Sequence, residues 1–527
     1  MTRISQRQMY STFVGNMNNN LADLMESNLQ GSSEKRINRP SDDPAGMARV
    51  LGFRASLEGI TQYKRNTGVA LGWLTQADTT LIQVDELIAE IRTKAEQIST
   101  GTYTDENREQ VSFYLREAFG TLLSLSNSTY DGQHIFGGHK TKTPTYVEGL
   151  HAFSNNADMQ GVDYVVTGGA KNTVLVQFTQ DGVIGSTSTL DMNFRYSADG
   201  GKTWQAGYLP AGSTTIQAGG VEIELKDKAT GLALSGPVNV TAAAPADTST
   251  HPSGPTDGPS NPNETDNGTW IYAHPTAIYK GDDNDAQVTQ TYASGGGPSA
   301  LAEADGYFTR DVAVRIDSIA GGVITYSYSL DDGSNWVQGT APDGPNAKLP
   351  IAGGFLNLSG PPAVAGDQYV VKPHRADIKM EISPGDTVTV NVVGKDIFGG
   401  MYQKPFADDP TTVGGSYDNN LFHVVGKLIA GAETNSQTMV QEALAQLEDC
   451  LKKVTTRAAE VGGRENRVGV VFENMGMREL AETDNMSKIE DVDVTVLMTK
   501  LAQQQLAYNM VLKSSSMIMQ MNLANFI

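Results

Sequence analysis

The residues best suited to do chemistry in this chain fall in two copies of one pattern. Ser197, Asp199, Gly201 and Trp204 stand in Tyr196-Ser-Ala-Asp-Gly-Gly-Lys-Thr-Trp204. Ser329, Asp331, Gly333 and Trp336 repeat them without a gap in Tyr328-Ser-Leu-Asp-Asp-Gly-Ser-Asn-Trp336. An Asp that accepts backbone N–H groups, a Gly that supplies a positive φ and a Trp packed beneath them stabilise a β-hairpin turn. Gly281-Asp-Asp-Asn-Asp285 gathers carboxylates that suit Ca²⁺. It lacks the later Gly and the distant Glu of an EF-hand loop, so a solvated turn is expected. The seven His residues are scattered, mostly beside Gly or Pro. There is no His-Glu-x-x-His, phosphate loop, dinucleotide-binding glycine pattern or nucleophile elbow. An enzyme needs convergent titratable groups in a pocket, and the sequence offers no such set. No catalytic residue, metal or cofactor is therefore expected.

Composition narrows the class. The 527 residues suffice for three or four domains, and 39% hydrophobic with 19% charged residues can bury ordinary cores. A net charge of −21 without a Lys/Arg cluster argues against nucleic acid as a partner. The single cysteine, Cys450, makes neither an internal disulfide nor a metal site. No apolar run is long enough for a transmembrane helix, so no membrane partner is expected. The N-terminus lacks the apolar core of a cleavable signal peptide, so an exported protein would leave by another route.

Two terminal stretches must position the rest. Ile489 to Ile527 contains neither Pro nor Gly, and its apolar residues step at heptad spacing. Val494, Leu501 and Tyr508 form one row, Leu497, Val511 and Ile518 another, and Met498, Leu512, Met519 and Phe526 a third. Four Met residues between 510 and 521 suit an adaptable packing surface. At the other end Tyr10, Met17 and Leu24 step by seven, as do Val14 and Leu21. These stripes need partners, either each other in an intramolecular coiled coil or copies of the chain.

Between them, Leu74–Ile98 carries two wholly apolar heptad rows, and Leu444, Leu447, Leu451, Val454, Ala458 and Val461 form another seam. Pro44 suits the first turn of a helix capped by Ser41, Asp42 or Asp43, and Thr104 or Asp105 suits a second cap. From about Tyr146 short alternating runs and Gly-rich turns predict β-structure, in two related modules about 130 residues apart. Ala242 to Gly268, rich in Pro, Ser, Thr, Asn and Asp, predicts a linker. The β region closes at Ile397-Phe-Gly-Gly400, which echoes Ile135-Phe-Gly-Gly138 and suggests one joint.

The expected class is α+β and multidomain, with long terminal helices, an α-helical coiled-coil or bundle trunk and all-β modules inserted in the middle. Residues 1–40 and 489–527 are expected to form the terminal coiled coil, and 41–145 with 396–488 the trunk. The outer β modules are expected at 146–241 and 269–395, around the linker 242–268. The modules are expected to be separable from the trunk.

Lys35-Arg-Ile-Asn-Arg-Pro-Ser-Asp-Asp-Pro-Ala-Gly46 resembles the motif after the first helix in the flagellin superfamily, in its hook-associated form. The residues carrying it are Arg36, Asn38, Arg39, Pro40, Asp42, Asp43 and Pro44. Gly132–Lys140, Asn466-Arg467-Val-Gly469, Ile489–Asp493 and the Leu506–Ile527 tail are similar to the same family. Family members usually carry Gly where this chain has Glu34. The resemblance implies a structural, non-enzymatic protein, exported unfolded by the flagellar type III apparatus and polymerised as a ring at the hook–filament junction. The implied partners are copies of itself, hook-associated protein 1, flagellin and an export chaperone. Tyr10, Val14, Met17, Leu21, Leu24, Val494, Leu497, Leu501, Tyr508, Leu512, Met519 and Phe526 would pack between subunits. The alternatives are a flagellin filament subunit or a surface glycan-binding protein. The last follows because Ser-x-Asp-x-Gly-x-x-Trp resembles the Asp box of sialidases and many unrelated β proteins, although such a motif carries no role without its site.

Overall fold

The computed structural model describes residues 6–100, 103–159, 162–227, 233–234, 236–242, 268–294, 301–344, 346–359, 363–403, 413–414 and 420–524. Seven helices lie in the described chain: α1 (Gln6–Ser33), α2 (Pro44–Ile98), α3 (Asp105–Ser126), α4 (Gly394–Phe398), α5 (Leu421–Glu433), α6 (Gln437–Glu490) and α7 (Val494–Ala524). All strands lie between α3 and α5. Long terminal helices with a β-rich middle are the architecture expected of the sequence. Among the described residues no helix is long and apolar enough to cross a membrane.

The chain divides into two compact units: Met1–Val69 with Glu381–Thr387 and Arg467–Ile527, and Ala70–Met380 with Val388–Asn466. In the second unit, α2 and α6 run antiparallel, tied by Thr75 to Glu465, Asp85 to Thr455 and Ser99 to Gln437. The two heptad rows of α2 from Leu74 to Ile98 are fully buried. On α6 the buried line is Val440, Ala443, Leu447, Cys450, Val454 and Val461. Leu444, Leu451 and Ala458, the other expected row, sit half-buried at its edge. Thr104 caps α3 by accepting from the Asn107 N–H, and Asn420 caps α5 by accepting from His423. Helix α5 is apolar on all sides and is buried accordingly.

The first β module is a sheet in the order 413–414, 401–403, 270–279, 174–178, 192–197, 205–209, with 146–154 also paired along 270–279. Its second layer pairs 162–168, 221–227 and 215–218. Trp270–Tyr279 therefore belongs to this sheet and not to a second module beginning at 269. Nearly every residue of it is buried, as a central strand covered on both faces requires. The linker composition at 242–268, which lies outside the described residues but for Ala242 and Gly268, is not where the sheet divides. Pro275 is tolerated in this central strand because its neighbours on one side pair only with 270–273 and 278–279. The missing N–H falls in the gap between them.

The second module is smaller than expected. A five-stranded sheet (287–292, 368–372, 312–320, 323–329, 337–342) faces a three-stranded one (301–306, 354–359, 346–351). Phe308, Val314, Ile316, Tyr326, Leu349, Leu356 and Tyr369 fill the space between. The two Ile-Phe-Gly-Gly segments meet: Phe136 and Phe398 are buried edge to face at 5.2 Å, and the Gly394 N–H donates to the Phe136 carbonyl.

Candidate assembly surface and its clasp

In the first unit the charged motif after α1 is folded around the α6–α7 junction. Glu34, at the position where Gly was expected, takes φ +59°, the left-handed step that ends many helices and favours Gly. Its carbonyl accepts from the Val492 N–H, and the Arg36 N–H donates to the Glu490 carbonyl at 2.6 Å. The Arg36 guanidinium donates to the Ile489 carbonyl at 2.8 Å. The Glu490 carboxylate, only 4% exposed, takes both Lys35 and, at 2.5 Å, Arg54 on its Oε1. Burial pushes the Glu490 carboxyl up, and the hydrogen bond and charge of Lys35 with the charge of Arg54 outweigh it, leaving it below the usual range.

The acids of the motif serve the backbone. Asp42 accepts from the Asn38 and Arg39 N–H groups at 3.0 and 2.7 Å. Asp43 accepts from the Gly46 N–H at 2.9 Å and so caps α2, whose first residue is Pro44. These bonds hold both carboxyls below the usual range, that from Arg39 leading at Asp42 and that from Gly46 at Asp43. A Cβ at Gly46 would lie 2.5 Å from the Asp43 carboxylate and 2.7 Å from the Ile37 side chain, so a larger residue would have to displace the capping carboxylate. Asn38 donates to the Lys35 carbonyl, whereas Arg39 and Pro40 are exposed. Arg467 pairs with Asp386 and takes no part in the clasp, and Asn466 is an exposed residue of α6.

The clasp joins the roots of α1 and α7, which pack together. Gly31 approaches Leu497 and Leu501, and Leu497 is 3% exposed. Val14, Met17, Leu24, Leu501, Tyr508 and Val511 are half-buried. Not every expected stripe residue is covered. Leu21 is 36% exposed, Val494 54% and Leu512 42%, because one helix can cover only part of another's circumference. A further apolar row absent from the heptad reading, Leu506, Met510 and Met517, is also exposed. The side chains of Tyr10 and Met519, and the whole of Phe526, lie outside the described residues.

In the Asp-box turns, Ser197 donates to Asp199 at 2.7 Å and accepts from the Gly201 N–H, and Asp199 accepts from the Thr203 N–H. Ser329, Asp331, Gly333 and Asn335 repeat the arrangement. Gly201 and Gly333 have φ +98° and +89°. The Asn335 side chain and N–H with Ser329 bring the Asp331 carboxyl down to about 2. Both carboxylates are thus engaged by their own turns. The Trp residues differ. Trp204 is half-buried between Arg195 and Trp270, whereas Trp336 carries Arg315 on one face and is 39% exposed. Trp336 still lies against Gly333 of its own turn, but it is less covered than Trp204. The first turn is seated on helices: Lys202 pairs with Glu109 of α3, and Gly200 lies against the backbone of Glu433.

The acidic stretch 281–285 is also occupied. Asp283 and Asp285 pair with Lys395, and Asp282 with His139 and His374. Sequence reading missed a second gathering. His151, His274 and His423 come from two strands and α5, with ring centres 4.9 to 5.8 Å apart. Burial lowers all three, His274 to about 4. Among the described residues no group of His, Cys, Asp and Glu is placed to hold a metal ion.

Residues 4–141 match the bacterial flagellin N-terminal helical region. That segment includes α1, the clasp motif, α2 and α3. The chain is similar to flagellar hook-associated protein 3 of Escherichia coli strain K12, 26% identical over 190 residues, which are 36% of this chain and 58% of that one. It is 28% identical over 145 residues to flagellar hook-associated protein 3 of Salmonella typhimurium, 27% of this chain and 46% of that one. The chain spans about half the length of these curated relatives. A crystal structure of flagellar hook associated protein-3 from Legionella pneumophila aligns with 84% of this chain and 98% of its own, with 11% identity and a TM-score of 0.29.

Proposed function

We propose that this chain is a structural, non-enzymatic component of the bacterial flagellum, forming the junction ring between hook and filament. The observation that carries this reading is the clasp. The motif that resembles the hook-associated form, residues 35–46, is folded onto the second family-like motif, Ile489–Asp493, at the roots of two long helices. The flagellin-like match over residues 4–141 and the likeness to hook-associated protein 3 support it. Exposed apolar rows on α1 and α7 supply the surface for copies of the chain, with hook-associated protein 1 below and flagellin above. Export through the type III apparatus, with a chaperone covering the terminal stripes, follows from the same reading, as does an extracellular place on the flagellum.

Electron microscopy of flagella from a strain lacking the protein tests it. Hooks without filaments, with flagellin shed into the medium, are expected. Loss of filament material with no shed flagellin points to a filament subunit. Intact flagella overturn both readings.

A further inference from the structure

We propose that the second β module is attached through an ionic joint that tightens on mild acidification. The chain enters this module through residues 280–286 and leaves it through 373–378, and Gln287 and Lys372 face each other across the first strand pair. A neutral frame links these two segments to the turn 135–140 and to the residues before α4. The Asp282 N–H donates to Gly137 at 2.9 Å, and the Ala376 N–H to Asn284 at 2.8 Å. Asn391 bonds the Ala376 carbonyl and the Ile378 N–H, both at 2.7 Å.

The charged layer lies over this frame. Asp282 receives His374 Nε2 on one oxygen at 2.9 Å and His139 Nδ1 on the other at 3.1 Å. Lys395 of α4 reaches Asp283 at 3.0 Å and also Asp285. The other charges around the joint are Lys140, 3.3 Å from the Gly281 carbonyl, Lys280, Asp377, and Arg375, stacked on Tyr307. Asp396 of α4 lies close by, with Lys453 and Arg457 of α6 acting on it, and Tyr279 donates to the Asp282 carbonyl.

Histidine is the side chain whose ordinary range of charge gain lies between about pH 8 and 5. A neutral imidazole gives Asp282 an ordinary hydrogen bond, and a protonated one gives a charge-assisted bond roughly twice as strong. Burial raises the Asp282 carboxyl, but His374 and His139 more than offset it, so Asp282 stays ionised and able to receive them. The geometry thus already holds the partners in place, and protonation of the imidazoles would add the charge.

Amide hydrogen exchange on the full chain, corrected for intrinsic rates, tests the joint at about pH 7.5 and about pH 5.5. The Asp282 and Ala376 amides are expected to gain roughly threefold to tenfold in protection at the lower pH. Asp282→Asn removes this gain. His374→Gln, which keeps a hydrogen-bond donor without titration, retains the protection seen at about pH 7.5 and reduces the gain. Equal or lower protection of these amides at about pH 5.5 overturns the proposal, as does an unchanged gain in either variant. Should Asp282→Asn fail to fold, His374→Gln decides alone.

Discussion

At Glu34 the chain makes a left-handed step with a side chain that pays a steric cost for it. Glu34→Gly is expected to stabilise the first unit by about 0.5–1 kcal/mol, the relief exceeding the entropy that Gly adds to the unfolded chain. Urea unfolding followed in the helical signal measures this, and a loss of stability would contradict the C-terminal role assigned to Glu34. Glu490 works the other way. Glu490→Gln leaves Lys35 and Arg54 without their carboxylate and is expected to cost about 1–3 kcal/mol. Because the Glu490 carboxyl is depressed, its contribution is full above about pH 4.5 and is lost as pH falls through its folded value. The variant therefore loses part of the acid dependence of stability. The two Asp-box Trp residues separate by burial. Trp204→Ala is expected to cost about 2–4 kcal/mol and Trp336→Ala about 1 kcal/mol or less, read from paired thermal unfolding curves.

Helix α5 is seated on the first module by close approach. A Cβ at Gly426 would lie 2.1 Å from the Pro275 carbonyl, and His423 stands against His274 and His151. Lys427, the nearest cation, is held over Phe153 and paired with Glu442. Three imidazoles depressed by burial stay neutral in the fold while the unfolded chain binds protons below about pH 6.5. Their contribution is complete above that pH and falls by about 1.4 kcal/mol per pH unit for each imidazole as pH drops toward the folded values. His423→Leu is expected to flatten the slope of unfolding free energy against pH between about 6.5 and 5. An unchanged slope would show that His423 is not one of the groups that resist protonation.

The molecule as a whole is less modular than its chain order implies. Leu175, Trp270 and Tyr272 of the first sheet pack with Ala430 and Met439 of α5 and α6. Removing residues 150–390, a cut that the inserted position of the β region invites, would strip the helices of that cover. The second module is a different matter. Gln287 and Lys372 are cross-strand partners, about 5 Å apart, so a two-residue turn can replace residues 288–371. Cooperative unfolding of the remainder is expected to persist, and its loss would mean that the module shares the trunk core. Leu512, exposed on α7, is expected to accept Asp at little cost to the isolated chain and to block joining of filament to hook. Normal motility with Leu512→Asp would remove α7 from the assembly surface.

The helices were determined by the sequence itself, since a period of 3.6 or 3.5 residues and a local cap need no distant partner. The same holds for the Asp-box turns, whose hydrogen bonds stay within a few residues, and for the residue types of the clasp. Tertiary structure decided what lies far apart in the chain. It brought His151, His274 and His423 together, although along the chain they are only scattered histidines. It placed Trp270–Tyr279 in the first sheet, because strand pairing over more than a hundred residues leaves no local signature. It covered Trp204 and left Trp336 open, because the helices beneath the first turn have no counterpart under the second. The same distinction leaves Leu497 packed and Leu512 bare: the period marks both as apolar, and only the reach of α1 decides which of them is covered.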